Sequence, residues 1–282
     1  MNPSDPIPPG DECLILRPES GWALPDWKEL WRHRELLSFL VWRDLKVRYK
    51  QTVLGMGWAV IQPLLTMLAF SLVFGRLAGM PSQGVPYPLF AMTGLVAWFY
   101  FANAVASSGM SLVDHRSLLT KVYFPRQLLP LAGVISGLAD FLVSLLALLP
   151  LLLFYRTAPS CNLWALPLLV GWMAAAALGV SLWLSALNAM FRDVRYAVGF
   201  LIQFGLFATP VVYPTALLAE PLRAICGLNP MCGVVEGLRW ALLGTPLPQA
   251  SMLTASALST CALLAGGTLF FRRAERLILD VL

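Results

Sequence analysis

Four sets of residues in this chain have the types and spacing to do chemistry. Lys46, Arg48 and Lys50 are the last charges before an uncharged run from Thr52 to Gly75. Cations so placed can make charge-assisted hydrogen bonds to phosphate, whether on a ligand headgroup or on anionic lipid. A second set is the segment DHRSLLTKVYFPR, Asp114 to Arg126. Asp114 is placed to cap a short helix, Leu118, Leu119 and Val122 make an apolar ridge, and Phe124-Pro125 ends the turn. A capped helix with an apolar ridge and basic flanks (Arg116, Lys121, Arg126) can seat in a groove on another protein, or it can simply face water.

The third set is one residue, Asp140, the sole ionisable group inside an otherwise apolar run from Gln127 to Tyr155. A carboxylate at mid-membrane costs about 2.5 to 3.5 kcal/mol on insertion scales, so it calls for a partner. It can be hydrogen-bonded at a helix or subunit interface, or it can serve a proton relay, for which the run supplies no second buried acid, His or Lys. The fourth set is aromatic: Trp58, then Trp98, Phe99, Tyr100 and Phe101, then Trp172 and Trp183. Aromatic faces stack on the C–H faces of sugar rings, and Trp and Tyr also belt ordinary membrane interfaces.

Other chemistries lack their residues. There is no GxxxxGK followed by Ser or Thr, so the chain has no such loop with which to hydrolyse ATP. It has no close carboxylate pair and no GxSxG elbow for acid-base or nucleophilic work. Five cysteines without a CxxC spacing and two distant histidines, His33 and His115, make no metal site. Cys226 and Cys232, six residues apart on short helices, read as packed thiols, and the sequence leaves open whether they pair on the oxidising side. A membrane enzyme is therefore the weakest functional class.

The elements that must position these groups follow from composition. The chain is 58% hydrophobic and 12% charged, with a mean hydropathy of +0.71, whereas soluble domains carry about 25% charged residues. It is a polytopic membrane protein. Residues 1–26 hold Pro at 3, 6, 8, 9, 18 and 25 and read as a mobile cytoplasmic tail with no signal core. Residues 27–50 form an amphipathic interface helix, and 51–276 a six-span transmembrane domain, with 277–282 as a cytoplasmic end. The expected crossings are Thr52–Gly75, Tyr87–Val113, Gln127–Tyr155, Cys161–Phe191, Tyr196–Tyr213 and Ala250–Phe271. Between the last two, Pro221–Leu228 and Pro230–Leu243 are too short to cross and read as re-entrant or interfacial helices.

Sixteen of the twenty Lys and Arg fall on one side of this topology; Arg76, Arg156, Arg223 and Arg239 fall on the other. By the positive-inside rule the first side is cytoplasmic, and both termini lie there.

The ordered runs RDLKVRYKQTVLGMGWAVIQPLL, FSLVFGRLAG, YPLFAMTGLVAWFYF, LLTKVYFPRQLLPLAG, ALNAMFRDV and LNPMCGVVEGLRWALL resemble the permease subunit of ATP-binding-cassette polysaccharide exporters, the family that moves O-antigen, capsular or teichoic-acid chains. The resemblance extends over about Leu36 to Arg276. It implies an all-α fold of six transmembrane helices, a homodimer in the bacterial inner membrane, and two separate ATPase subunits that carry ATP and Mg. The permease itself would then need no cofactor, metal or nucleic acid. It implies that Asp114 to Arg126 is the ATPase-coupling helix, that Leu54 and Gly55 lie by a cytoplasmic gate, and that 221–243 forms outward-side gate helices. The implied substrate is a lipid-linked polysaccharide, its headgroup meeting Lys46, Arg48 and Lys50 and its sugars passing Trp58, Trp98, Phe99 and Tyr100. Two other classes compete: an exporter of a drug or small lipid, and an ion-coupled transporter using Asp140.

Overall fold

The computed structural model describes residues 27–50, 55–119, 121 and 124–281; the segment read as a tail, and Leu54, lie outside them. Every regular element among the described residues is helical. In chain order these are α1 (Trp27–Arg32), α2 (Arg34–Tyr49), α3 (Gly57–Phe70), α4 (Tyr87–Asp114), α5 (Arg116–Leu119), α6 (Leu128–Leu146), α7 (Leu148–Phe154), α8 (Leu166–Met190), α9 (Val194–Ala208), α10 (Glu220–Gly227), α11 (Pro230–Leu243) and α12 (Ala250–Val281). A wider-turn stretch, Ser71–Leu77, prolongs α3, and a tight one, Cys161–Ala165, leads into α8. Five helical stretches among the described residues are long and apolar enough to cross a bilayer: Gly57–Leu77, Tyr87–Asp114, Leu128–Phe154, Cys161–Met190 and Ala250–Glu275.

The expected fifth crossing differs. Its helix, α9, has 15 residues and so reaches about 22 Å, short of a hydrocarbon core of about 30 Å. Pro210 and Pro214 stop it, because proline removes a backbone donor and unsettles the preceding turn. The chain continues as irregular backbone, Thr209–Pro214, with Val211 and Val212 buried.

The post of the assembly is α4, 28 residues and nearly all buried, with α3, α6, α8, α9 and α11 packed round it. Small residues set how near its neighbours come. A Cβ added at Gly133 would lie 2.3 Å from the Ser108 hydroxyl of α4, and one at Gly137 would lie 3.3 Å from the Tyr100 ring. On α8, Gly179 meets the α12 backbone, its added Cβ falling 2.9 Å from Leu264 N. Gly171, about two turns earlier on α8, has open space beside it.

Proline shapes α3 as well. Pro63 has no N–H to offer the carbonyl four residues earlier, Ala59, and the Ser144 hydroxyl of α6 lies 2.6 Å from that oxygen. A backbone acceptor left open in an apolar surround is thereby satisfied from a neighbouring helix.

The first helical segment is broken at His33 into α1 and α2. Leu40 of α2 sits with Leu128 and Leu129 in a lower apolar cluster, and two turns on Arg48 meets Ser136 and Asp140. Eight residues climb about 12 Å on either helix, so α2 runs beside α6. Its other face leaves Phe39, Trp42 and Val47 exposed, and Trp31 of α1 is exposed too.

The two short helices between α9 and α12, α10 and α11, form a hairpin. The turn Leu228-Asn229 lies beside α12 two to three turns from that helix's start: Ser256 Oγ is 3.1 Å from Asn229 O and Ser259 Oγ 2.6 Å from Leu228 O. Asn229 caps α11 by accepting from Met231 N at 2.9 Å, and Gly244, with φ of 69°, ends it in the left-handed region. At the same level as that end, Ser160 N donates to Leu242 O.

Arg239 on α11, counted above among outward-facing charges, is fully buried. Its guanidinium donates to Phe90 O of α4 (3.2 Å), Pro210 O (2.7 Å) and Val211 O (2.7 Å). Two of these acceptors belong to the irregular chain after α9, whose carbonyls have no helical partners. Glu236, one turn earlier, neutralises the cation at 3.6 Å and accepts from Thr215 N at 2.9 Å. The ion pair thus fastens the break after α9 to both α4 and α11.

Candidate functional site

A cavity of about 210 Å³ lies between α2, α3, α4 and α6. From α2 come Arg48 and Tyr49; from the turn into α3 and α3 itself come Gly55, Trp58, Gln62 and Pro63. Phe99, Tyr100 and Asn103 line it from α4, and Gly137, Asp140 and Ser144 from α6. Gly55 has φ of 49°, a conformation costly for other residues, so glycine lets the chain turn sharply at the cavity's rim. Aromatic faces and short amide or hydroxyl groups alternate around the wall. Such a lining offers stacking and hydrogen bonds to a polar, ring-containing ligand.

One side of the cavity is an ionic knot. Arg48 donates to Asp140, and the Tyr49 hydroxyl donates to the other carboxylate oxygen. Burial, and then the hydrogen bond to Asp140, push the Tyr49 phenol up to about 12, so it remains a proton donor at neutral pH. The isolated intramembrane acid therefore has its partner, on α2 and 92 residues away in sequence.

Lys46 and Lys50 point elsewhere. Both are exposed, one turn apart on a face of α2 turned from Arg48, and Lys46 Nζ sits 4.5 Å from the Trp42 ring centroid. Of the aromatics, Trp58 is 55% exposed and lines the cavity with Phe99 and Tyr100. Tyr100 is also tied down, its hydroxyl donating to Val134 O at 3.2 Å. Trp98 is 4% exposed and packs away from the cavity against Phe101 and Gly205 of α9.

The loop below departs from its expected form. Helix α4 continues through Asp114, and His115 caps its C-terminus, so Asp114 does not begin the next helix. Among the described residues of the loop, Arg116 to Leu119 are helical after it. Leu118 and Leu119 are half-buried against the lower cluster rather than presented as a ridge, and Phe124 is sunk in that cluster. The outward face is polar instead: Asp114, Arg116, Ser117 and Lys121 are exposed.

Contacts at Arg126 and His115 tie this loop to the rest. Arg126 donates to Glu275 O of α12 at 3.1 Å and pairs with the Glu275 carboxylate at 3.7 Å. His115 sits 2.6 Å from Arg43 on α2 through Nε2 and 2.8 Å from Ser111 O through Nδ1. Arginine can only donate, so Nε2 accepts and Nδ1 carries the proton. Helix α2 is thus joined to the loop at Arg43 and to the cavity wall at Arg48.

Sequence reasoning missed the pairing of Arg239 and Glu236 by counting Arg239 only as a charge of the far face. A signal was present: opposite charges three residues apart in the otherwise uncharged PMCGVVEGLRWALL. It missed Gln62 and Asn103 of the cavity because isolated amides in a span carry no spacing signal.

Fold and site together define a helical membrane protein with a polar-aromatic cavity beside a surface loop, built like a transporter subunit. The chain belongs to the ABC-2 type transporter family, whose model matches residues 35–243. It is 34% identical over 252 residues to the O-antigen export system permease protein RfbA of Myxococcus xanthus, 88% of this chain and 96% of that protein. A Klebsiella pneumoniae protein of the same name is 31% identical over 73% of this chain and 78% of its own. The polysialic acid transport protein KpsM of Escherichia coli is 21% identical over 84% and 92% respectively.

Proposed function

We propose that this chain is the membrane subunit of an ATP-driven exporter of O-antigen-like polysaccharide. The observation that carries the reading is the 34% identity across nearly the whole length of an O-antigen export permease. The substrate is lipid-linked glycan, which Trp58, Phe99 and Tyr100 meet by stacking while Gln62 and Asn103 offer hydrogen bonds. Lys46 and Lys50 meet its phosphate headgroup; Arg48, engaged with Asp140, holds the wall in place. Two copies of the chain assemble in the bacterial inner membrane with both termini cytoplasmic, since the Lys and Arg bias puts α2, the loop and the carboxyl end on that side. The exposed Trp31 of α1 and Phe39, Trp42 and Val47 of α2 seat in the interfacial layer.

Two ATPase subunits dock beneath the loop from Asp114 to Arg126 and supply hydrolysis, with ATP and Mg bound there. Their closure pushes the loop; Arg43 and His115 pass the displacement to α2, and Arg48 passes it to the cavity wall. Leu54 and Gly55 belong to the cytoplasmic gate. The test is reconstitution in vesicles of this chain with its ATPase and a lipid-linked glycan, with and without ATP. Export that needs both proteins and ATP is expected. Export by this chain with no ATPase supplied would overturn the reading.

A further inference from the structure

The elbow of the hairpin holds two thiols face to face. Cys226 ends α10 and Cys232 lies in the first turn of α11, with their sulfurs 2.7 Å apart. Carbon atoms already repel inside about 3.5 Å, and sulfur is larger, so this separation lies well inside nonbonded contact and within reach of a bond of about 2.05 Å. Both are free thiols in the structure. The elbow between them is fixed independently of the sulfurs: Ser256 and Ser259 of α12 hold its carbonyls, and Asn229 donates to Thr209 Oγ1 at 2.8 Å. Gly227 and Gly233 on either side are backed by Met252 and Trp172. The surroundings therefore keep the two sulfurs together rather than letting the pair relax apart.

We infer that Cys226 and Cys232 form a reversible disulfide that pins α10 to α11. The inference uses the placement of the hairpin toward the outer, oxidising compartment given under Proposed function, and goes beyond it. Cys226 is 9% exposed and Cys232 fully buried, and α10 presents Leu222, Ile225 and Leu228 outward. Cys226 is thus the sulfur reached first when α10 lifts. Its thiolate attacks a donor disulfide carried by an oxidoreductase of that compartment, releasing one donor thiol and leaving a mixed disulfide. Cys232 loses its proton, displaces the second donor thiol and closes the ring. Two protons and two electrons leave the pair, and the donor departs as a dithiol. With the bond closed, α10 cannot swing on α11; with it open, the elbow relies on its hydrogen bonds alone.

The full-length protein, expressed in its membrane, is denatured in an alkylating reagent without reductant, digested and weighed by mass spectrometry. The expected peptide holding both residues is unalkylated and lighter by two hydrogen atoms than its dithiol, and it takes two labels only after reduction. Cys161 and Cys261, both exposed, label at once. Prompt alkylation of both Cys226 and Cys232 without reductant would overturn the inference. In parallel, a membrane-impermeant maleimide is applied to intact cells stripped of outer barriers. In the proposed topology Cys161 shares the hairpin's side, so its labelling with no disulfide found refutes the bond and leaves the topology standing. Failure of Cys161 to label, with no disulfide found, removes the compartment the bond requires and refutes both.

Discussion

Arg239 and Glu236 face each other across one turn of α11 at 3.6 Å, in a place no solvent reaches. Between them they satisfy three carbonyls and one N–H of neighbouring segments. Breaking such a pair leaves a buried charge without compensation, at a cost of roughly 3 to 5 kcal/mol. Arg239→Met should therefore lower the melting temperature of the detergent-purified protein sharply, and Glu236→Gln less, since its amide oxygen still accepts from Thr215. Equal melting of Arg239→Met and wild type would show that the irregular chain after α9 needs no such fastening.

The Arg48 and Asp140 pair makes a different expectation. Both are partly accessible, with side-chain exposures of 29% and 17%, so the interaction should be moderate. A double-mutant cycle of Arg48→Gln and Asp140→Asn should give a coupling energy of roughly 0.5 to 3 kcal/mol, the double variant being little worse than either single one. Export by Asp140→Asn should persist if the acid is an anchor and vanish if it relays protons. Tyr49 adds a pH signature. Its pKa is raised from 10.0 to about 12, so its contribution is complete below about pH 10 and fades as pH climbs through the folded value. Tyr49→Phe should abolish that alkaline slope.

Glycine packing gives a paired control. Gly179→Ala would drive a methyl into the α12 backbone near Leu263 and Leu264, which cannot swing aside as a side chain can. A loss of roughly 1 to 3 kcal/mol is expected from such overpacking. Gly171→Ala meets nothing within 4 Å and should match wild type in thermal melts. Equal losses at both positions would mean that the α8–α12 approach does not govern these sites, because alanine is otherwise the better helix former.

Why the sequence revealed the long helices and hid the knots is itself physical. A window of some twenty apolar residues averages over errors, so the stretches now seen as α4, α6 with α7, α8 and α12 were legible within a few residues. The signal weakens where the element is short. Proline cut α9 below a span's length, and Asp114 looked like a beginning because a capping residue reads alike at either end of a connection. A lone Asp140 announced that it needed a partner but not which one, since nothing local links it to Arg48. The pattern of Leu118, Leu119 and Val122 marked a buried face, yet periodicity cannot say whether a partner protein or the chain's own core covers it. The first two are covered by the chain's own core.

That last distinction governs how the loop should be tested. Because Leu118 and Leu119 pack inward, charges placed there would damage the fold as well as any docking, and lost export would prove nothing. The exposed Arg116 and Lys121 separate the two effects. Substituting both by Glu reverses the sign of the face offered to the ATPase while removing little buried surface, so thermal stability should stay within about 0.5 kcal/mol of wild type. Stimulation of the partner's ATP hydrolysis and glycan export should both fall, and because rim charges act mainly on association, the defect should shrink at low salt only if charge reversal is repaired on the partner. Leu119→Asp should instead lower both melting temperature and export. Full export by Arg116→Glu/Lys121→Glu would move the contact with the ATPase away from this loop.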